Sequence, residues 1–511
     1  MPRKRSRSPR GLLATGPTLE FDRGFQGFLA RRVNKKSAAA RSKELHYHKV
    51  PDDVRQGIDG ARLKEWGNWQ GFDAVEIIKP EEVDKFPSKS RPLEGARTDS
   101  PTASAMMFNL LLSITANKKW RLRGGDITAS FLQGSLLRAR KPVYGTKGLR
   151  AVPGEHAAYI LQDAQAGIQG LVIAHVDDLL WSGTTAMDAV MDEIIKEFKF
   201  GALEFGSKFE YCGRTVEQGE HGITVTCPHN AAKVRPIYVD AARRKQRDHY
   251  VTEQERNQLR SVVGSLNWLV RVCRLDIAYE VHRLQAVMQK ALVEDLILCN
   301  QILNYVKKTP HKGMFFFYEA FDVDDMTIYN LQHHRRQILM LGPTSLGSTG
   351  EGTVHVLEYH SSVIRRGCRS TLQAETLSMV LGYENAEHLR SVLYGMQHGK
   401  DKADLVRAMD SKKVVPFTDC KSLEQHLRQP GLHTVGDKRL DIDLSALRQL
   451  IWRLPGEDVG DPMLADAPPS TATTTTRWID TSTMIADGLT KRMKSVQLDE
   501  LMKTGRPRSA S

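Results

Sequence analysis

Leu171-Val172-Ile173-Ala174-His175-Val176-Asp177-Asp178-Leu179-Leu180 is an aliphatic run interrupted by two adjacent carboxylates, closed by Trp181-Ser182-Gly183. A short apolar run with such a boundary reads as a buried strand that turns tightly at its middle. Adjacent aspartates inside it are costly to bury as ions unless a cation or hydrogen-bond donors meet them. Hard oxygen ligands of this kind suit Mg²⁺ or Mn²⁺. A hairpin with Asp177 and Asp178 exposed at its tip accounts for the same letters, so the surrounding chain has to choose.

Upstream, Thr98-Asp99-Ser100-Pro101 is a turn and helix-start signal. Ala103, Met106, Met107, Leu110, Leu111 and Ile114 then recur at helical spacing and predict one apolar face, for which core packing is sufficient reason. Trp120 to Gly125 reads as a strand leading to Asp126, followed by a turn that carries Phe131. A lone Asp at a strand end is more often a cap than a ligand, and its interest depends on what it pairs with.

The whole chain has 511 residues, enough for roughly two to four domains. With 41% hydrophobic and 26% charged residues, its composition is globular. A net charge of +13 and a pI near 9.3 point toward a polyanionic partner, although a merely basic soluble protein satisfies the same numbers. The six cysteines have no zinc-ligand spacing, and so few in so long a chain suggest a reducing compartment. No apolar run approaches membrane-span length, and the arginine-rich start, Met1 to Arg10, lacks the apolar core of a secretory signal. The expectation is a nuclear or cytoplasmic protein, neither secreted nor membrane-bound. The basic cluster fits an import signal, a phosphate-touching arm or a solvated tail.

Three stretches carry a family resemblance. Asp126-Ile127-Thr128-Ala129-Ser130-Phe131-Leu132-Gln133-Gly134 resembles the D-V-K-T-A-F-L-N-G motif of Ty1/copia-type retrotransposon reverse transcriptases. His175-Val176-Asp177-Asp178 resembles their Y-V-D-D box, with His for Tyr. Gly264-Ser265-Leu266-Asn267-Trp268-Leu269 with Arg274-Leu275-Asp276-Ile277-Ala278-Tyr279 resembles G-S-L-x-Y-L…R-P-D-I-A-Y, with Leu275 for Pro. The resemblance implies two-metal nucleotidyl transfer, with Asp126, Asp177 and Asp178 as metal ligands, Mg²⁺ or Mn²⁺ as cofactor, and Phe131 beneath the nucleotide sugar. Tyr144-Gly145-Thr146-Lys147 resembles the start of L-Y-G-L-K-Q-A-P-R, which places Tyr144 and Lys147 at the nucleotide. The implied partners are an RNA template, a DNA primer, deoxynucleoside triphosphates (dNTPs) and an RNA–DNA hybrid. Arg271, Arg274, Lys307 and Lys308 could contact the duplex backbone or be solvated.

A second set follows. Ser370-Thr371-Leu372-Gln373-Ala374-Glu375 resembles the S-S-T-E-A-E motif of the ribonuclease H domain of this family, and Thr418-Asp419-Cys420-Lys421-Ser422 resembles D-N-Q-S. Lys438-Arg439-Leu440-Asp441-Ile442 resembles K-H-I-D-I, and Met484-Ile485-Ala486-Asp487-Gly488-Leu489-Thr490-Lys491 resembles Q-L-A-D-x-L-T-K. The resemblance implies Glu375, Asp419 and Asp441 as metal ligands, with Asp443 as the alternative to Asp441.

Parts of the family pattern are missing. The fingers hairpin between Pro92 and Gly95 is skipped, and so are the Q-A-P-R segment and the palm helix after Tyr144. The first nuclease strand reads Met326 to Tyr329 and runs into neutral Asn330, where a carboxylate is required. A palm without this helix is expected to expose apolar surface, for example beside Leu171 and Ile173.

The expected fold is α/β (α+β), a right-hand polymerase palm and thumb followed by a ribonuclease H-like α/β domain. Its parts are a basic disordered segment 1–60, incomplete fingers and palm 61–205, thumb and connection 206–312, an incomplete ribonuclease H-like part 313–495, and a disordered tail 496–511. The expected function is RNA-directed DNA synthesis with ribonuclease H cleavage, as the C-terminal part of a copia-type polyprotein or a gene derived from one. The alternative is an impaired or repurposed copy that binds nucleic acid without catalysis.

Overall fold

In a computed structural model, residues 102–128, 148–155, 157–333, 336–361, 367–398, 405–431, 435–489 and 496–507 are described. The basic segment 1–60, the expected start of the globular part at 61, and Phe131, Tyr144 and Lys147 lie outside them. Among the described residues no helix is long and apolar enough to cross a membrane.

Helix α1 (Ala105–Asn117) begins at Ser104, whose hydroxyl accepts from the Met107 amide at 3.0 Å. Strands β1 (Arg121–Ile127), β2 (Leu149–Ala151), β3 (Ala158–Asp163), β4 (Gly167–His175), β5 (Asp178–Gly183) and β6 (Phe200–Glu204) form one antiparallel sheet in the order β2-β3-β4-β5-β1-β6. Helix α2 (Thr185–Glu197) covers one face, setting Met187, Met191 and Ile194 on Val172, Ala174, Leu179 and Trp181. Two glycines let it approach, since a Cβ at Gly170 or Gly183 would lie 2.5 Å from the Met187 side chain.

Helix α1 covers the other face, where Met107, Leu110, Leu111 and Ile114 join Leu122, Ile160, Leu171, Ile173 and Leu180. Leu171 and Ile173 are therefore 1% exposed, and α1 covers the sheet face beside them where exposed apolar surface was expected. Each such burial contributes about 1.5–3 kcal/mol. Cover on both faces explains why β4 reads as a continuous apolar run rather than an alternation.

The expected single apolar face of α1 is corrected too, because every residue from Met106 to Ala116 is buried. Its polar face docks onto a later strand. Asn109 Nδ2 donates to the Leu357 carbonyl at 2.7 Å, and Ser113 Oγ lies 2.8 Å from His355 Nδ1.

Strands β7 (Lys208–Tyr211), β8 (Arg214–Gln218), β9 (Gly222–Thr226) and β10 (Met314–Phe317) make a second antiparallel sheet in the order β10-β9-β8-β7. The expected 313 boundary thus cuts off a strand that pairs with β9. The predicted helical stretch from Thr252 to Thr309 is three helices, α3 (Glu253–Val272), α4 (Ala278–Val287) and α5 (Val293–Lys308). At the first break Arg274 turns inward and donates to both Asp276 carboxylate oxygens at 2.8 Å. At 3% exposure it is committed to that pair and not to a phosphate, whereas Arg271, Lys307 and Lys308 are exposed.

The third sheet contains β11 (Met326–His333), β12 (Arg336–Pro343), β13 (His355–Ser361), β14 (Val414–Thr418) and β15 (Arg477–Trp478), in the order β13-β12-β11-β14-β15. Only β12 runs against the others. A 3-2-1-4-5 order with the second strand reversed is the ribonuclease H-like arrangement expected from the sequence. Helices α6 (Thr371–His398), α7 (Lys421–Arg428) and α8 (Lys438–Ile451) share the core of Met379, Tyr383, Leu423, Leu427 and Leu444. Helix α9 (Val496–Thr504) occupies part of the expected disordered tail. Its Leu498 and Leu501 are buried beside Met484, Ile485 and Leu489, and that burial holds the segment.

Candidate active site

Residues Val176 and Asp177 form a two-residue loop between the paired His175 and Asp178. Such loops require positive φ. Val176 adopts φ +60°, a left-handed conformation that costs a β-branched residue about 1–3 kcal/mol. The strain fixes the hairpin tip and brings the paired carboxylates to the end of the sheet. Asp178 stands opposite Asp126 across β1 and β5, and the Ile127 amide donates to the Asp177 carbonyl at 2.9 Å. Partial burial, with the charges of Asp178 and Asp177, holds the Asp126 carboxyl above the ordinary aspartate value. Both sequence readings of this stretch thus meet in one structure: it is a hairpin, and its carboxylates face a third.

These residues fit a hard divalent cation. Asp126, Asp177 and Asp178 offer oxygen donors, and Gly201 leaves space beside them. A Cβ at Gly201 would lie 3.1 Å from Asp126 Oδ2 and 2.9 Å from Thr128 Oγ1. The structure adds two neighbours. His175, Asp178 and Cys212 bring a ligand atom each within 4.8 Å of one another. Cys212 Sγ lies 3.5 Å from Asp178 Oδ2, and burial with the Asp178 charge pushes the thiol up to about 12.

The nuclease-like sheet builds a second cluster. Strands β11 and β14 run parallel with Gln332 opposite Thr418, so their next residues, His333 and Asp419, meet at the strand ends. His333 Nδ1 lies 3.0 Å from Asp419 Oδ1 and 3.7 Å from Glu375 Oε1 on α6. Its Nε2 faces Asp487 Oδ1 at 3.5 Å. Burial works to lower the His333 pKa, but the bond and charge of Asp419 and the charges of Glu375 and Asp487 outweigh it and hold it above the usual value. Burial would raise Asp419, yet the bond and charge of His333 hold it below the usual carboxylate range.

The expected strand end at Tyr329 is corrected by this register. Asn330 is mid-strand and buried, with its amide donating to the Gly382 carbonyl. Four residues run on from Tyr329, and His333 takes the position where the family pattern requires a carboxylate.

No protein-family model matches the chain. The retrovirus-related Pol polyprotein from transposon RE1 of Arabidopsis thaliana is 23% identical over 272 residues, covering 44% of this chain and 18% of the relative. Its counterpart from transposon RE2 of the same plant is 24% identical over 274 residues, with the same coverage. The chain is a homologue of copia-type retrotransposon Pol polyproteins. It matches less than a fifth of their length. Two solved structures of the foamy viral protease-reverse transcriptase, in complex with RNA/DNA hybrid and with dsDNA, overlap it with TM-scores of 0.37 and 0.38 at 11% identity. They cover 75% and 79% of this chain, and 46% and 74% of theirs.

Within this Pol homologue, Asp126 and Asp178 face each other across the strands with Asp177 next in the chain, but the three carboxylates do not gather within 4.8 Å of one another, whereas Glu375 and Asp419 do meet, with His333. Asp441 takes no place in the second cluster. It sits in the first turn of α8, and its charge acts on Arg448. Asp443 lies on the same helix. Sequence reasoning assigned no ligand role to His333 or Asp487. The A-D-G-L-T-K stretch around Asp487 was the available signal for one; the other needed strand register.

A pair of Mg²⁺ ions, as the family implies, does not fit the second cluster. Mg²⁺ takes oxygen donors in a strict octahedron and keeps several waters. Here the strand-end position offers an imidazole.

Proposed function

We propose that the palm-like sheet is a nucleotidyl-transfer centre for RNA-directed DNA synthesis, with an RNA template, a DNA primer and dNTPs as partners. The observation that carries this reading is the Asp126–Asp178 cross-strand pair beside Asp177, at a strained hairpin tip. Mg²⁺ or Mn²⁺ bound there supplies charge neutralisation at a triphosphate and activation of a primer hydroxyl. The chain's own work is to hold Asp126 and Asp178 on paired strands, with Asp177 in the tight loop beside them. Exposed Arg271, Lys307 and Lys308 on the thumb-like helices supply charge for a phosphate backbone. In this reading the palm-like part is 61–205, the thumb and connection 206–312 extend to include β10, and the ribonuclease H-like part runs from β11 through α9.

A second reading is that the chain binds RNA–DNA duplex without cleaving it. The imidazole at the nuclease strand end favours it, since a paired-ion centre loses a shared carboxylate there.

Primer extension on an RNA template with Mg²⁺ or Mn²⁺ tests the proposal, with Asp177→Asn/Asp178→Asn as the control. Synthesis that vanishes in the double variant supports polymerisation. No synthesis from folded wild-type chain, together with salt-dependent hybrid binding, moves the conclusion to the second reading.

A further inference from the structure

The cluster at the end of β11 has the layout of a different kind of metal centre from the one it replaces. His333 Nδ1 faces Glu375 and Asp419 together, and one ligand atom from each of the three groups lies within 4.8 Å of the others. The opposite ring nitrogen faces Asp487. A histidine with one nitrogen toward two carboxylates and the other toward a third has the carboxylate–histidine–metal layout, in which the outer carboxylate fixes the tautomer and strengthens the donor. The donors come from separate elements: β11, α6 and the end of β14. Glu375 is 2% exposed. One nitrogen and two carboxylates match the count of protein ligands in an open tetrahedral zinc site. Imidazole shifts preference from Mg²⁺ toward borderline ions.

We propose that His333, Glu375 and Asp419 form a single-ion site for a borderline transition metal, with Zn²⁺ as the fitting ion and Asp487 as the carboxylate that positions His333. The site replaces the paired hard-ion centre and stands independently of whether the palm centre polymerises. A protonated His333 balances one carboxylate charge of the cluster, whereas a divalent ion balances two.

The test is direct metal binding by the full chain carrying His175→Ala, Asp177→Asn and Asp178→Asn, which removes donors of both the palm carboxylates and the His175–Asp178–Cys212 cluster. Zn²⁺ is titrated by calorimetry and Co²⁺ by its visible absorption, each against Mg²⁺. One equivalent of Zn²⁺ or Co²⁺ is expected to bind, with Mg²⁺ unable to displace it. His333→Ala and Glu375→Gln should weaken binding by about 100-fold or more, and Asp487→Asn by about tenfold or more. Circular dichroism checks that each variant folds. X-ray absorption on the Zn²⁺-loaded chain needs no variant at this cluster, and should read one imidazole nitrogen and otherwise oxygen donors. Absence of binding, binding unchanged by these variants, a sulfur donor, or preference for Mg²⁺ would each overturn the proposal.

Discussion

Asp126 and Asp178 stand directly opposite each other across the β1–β5 pairing, so two like charges share one end of the sheet. Like charges in facing positions destabilise a sheet. The arrangement persists because the β1 register and the tight loop at Val176 leave the carboxylates no alternative placement.

This repulsion gives the first prediction. The folded Asp126 carboxyl titrates above its unfolded value, so the folded state holds its proton more tightly. Stability from this group is therefore present at low pH and falls as pH rises through and above about 4. Asp178→Asn removes the facing charge. The variant should melt above wild type at pH 7, match it near pH 4, and lose divalent-ion binding at the palm. Calorimetric melting at the two pH values checks the first part, and Mn²⁺ titration the second.

His355 gives the second. It is fully buried where helix α1 meets the nuclease-like sheet, with Nδ1 accepting from Ser113 Oγ at 2.8 Å and Nε2–H donating to the Phe317 carbonyl at 3.1 Å. Burial pushes its pKa down to about 3, so the folded protein keeps it neutral. The unfolded chain takes up the proton near pH 6.5, and stability should fall as pH drops from there toward 3. His355→Gln should flatten that slope while costing about 1–3 kcal/mol at pH 7, because buried partners lose their bonds. Urea unfolding at pH 7 and pH 5 reads both.

Helix α3 gives the third. Thr252 Oγ1 accepts from the Glu255 amide at 3.2 Å, and the Glu255 carboxylate returns to the Thr252 amide at 2.7 Å. Arg243 braces the same carboxylate, donating at 2.9 Å to each oxygen. The Arg243 bond is the main cause that brings Glu255 down to about 2, so its stabilisation is complete above about 4.5 and is lost as pH falls toward 2. Thr252→Ala should cost about 1 kcal/mol. Arg243→Met should move the Glu255 titration, followed by NMR, back toward the ordinary value.

The palm was legible because its signals are local. The period of α1, the apolar run of β4 and the paired Asp177-Asp178 all lie within single stretches, and register needed only a two-residue loop. The nuclease-like cluster was half legible. Glu375 and Asp419 sit in recognisable motifs, but the residue that meets them depends on where β11 ends against β14, a parallel pairing between segments 86 residues apart. Counting from Tyr329 selected Asn330, whereas pairing Gln332 with Thr418 selects His333. Asp441 was misleading because its motif lies on α8, where periodicity gives a face but not the neighbour across it. Helix α9 is nine residues long, too short to declare itself without the pocket that buries Leu498 and Leu501.

The last prediction concerns the join between the two halves. Helix α6 ends at His398, and its final carbonyls have no partners within the helix. The palm strands supply them. Arg150 on β2 donates to the Gly395 carbonyl at 2.9 Å and to the Met396 carbonyl, while Gln162 on β3 donates to the Gln397 carbonyl at 2.8 Å. A cation at a helix C-terminus also meets the negative end of the dipole. Arg150→Ala should therefore fray the last turn of α6 and lower stability by about 1–3 kcal/mol. Arg150→Lys should recover only part of that, since an ammonium lacks the planar fork that spans two carbonyls. Hydrogen exchange should localise the loss to the amides of residues 395–398 and to β2 and β3. Loss confined to α6 alone would mean that the palm edge does not depend on this cap.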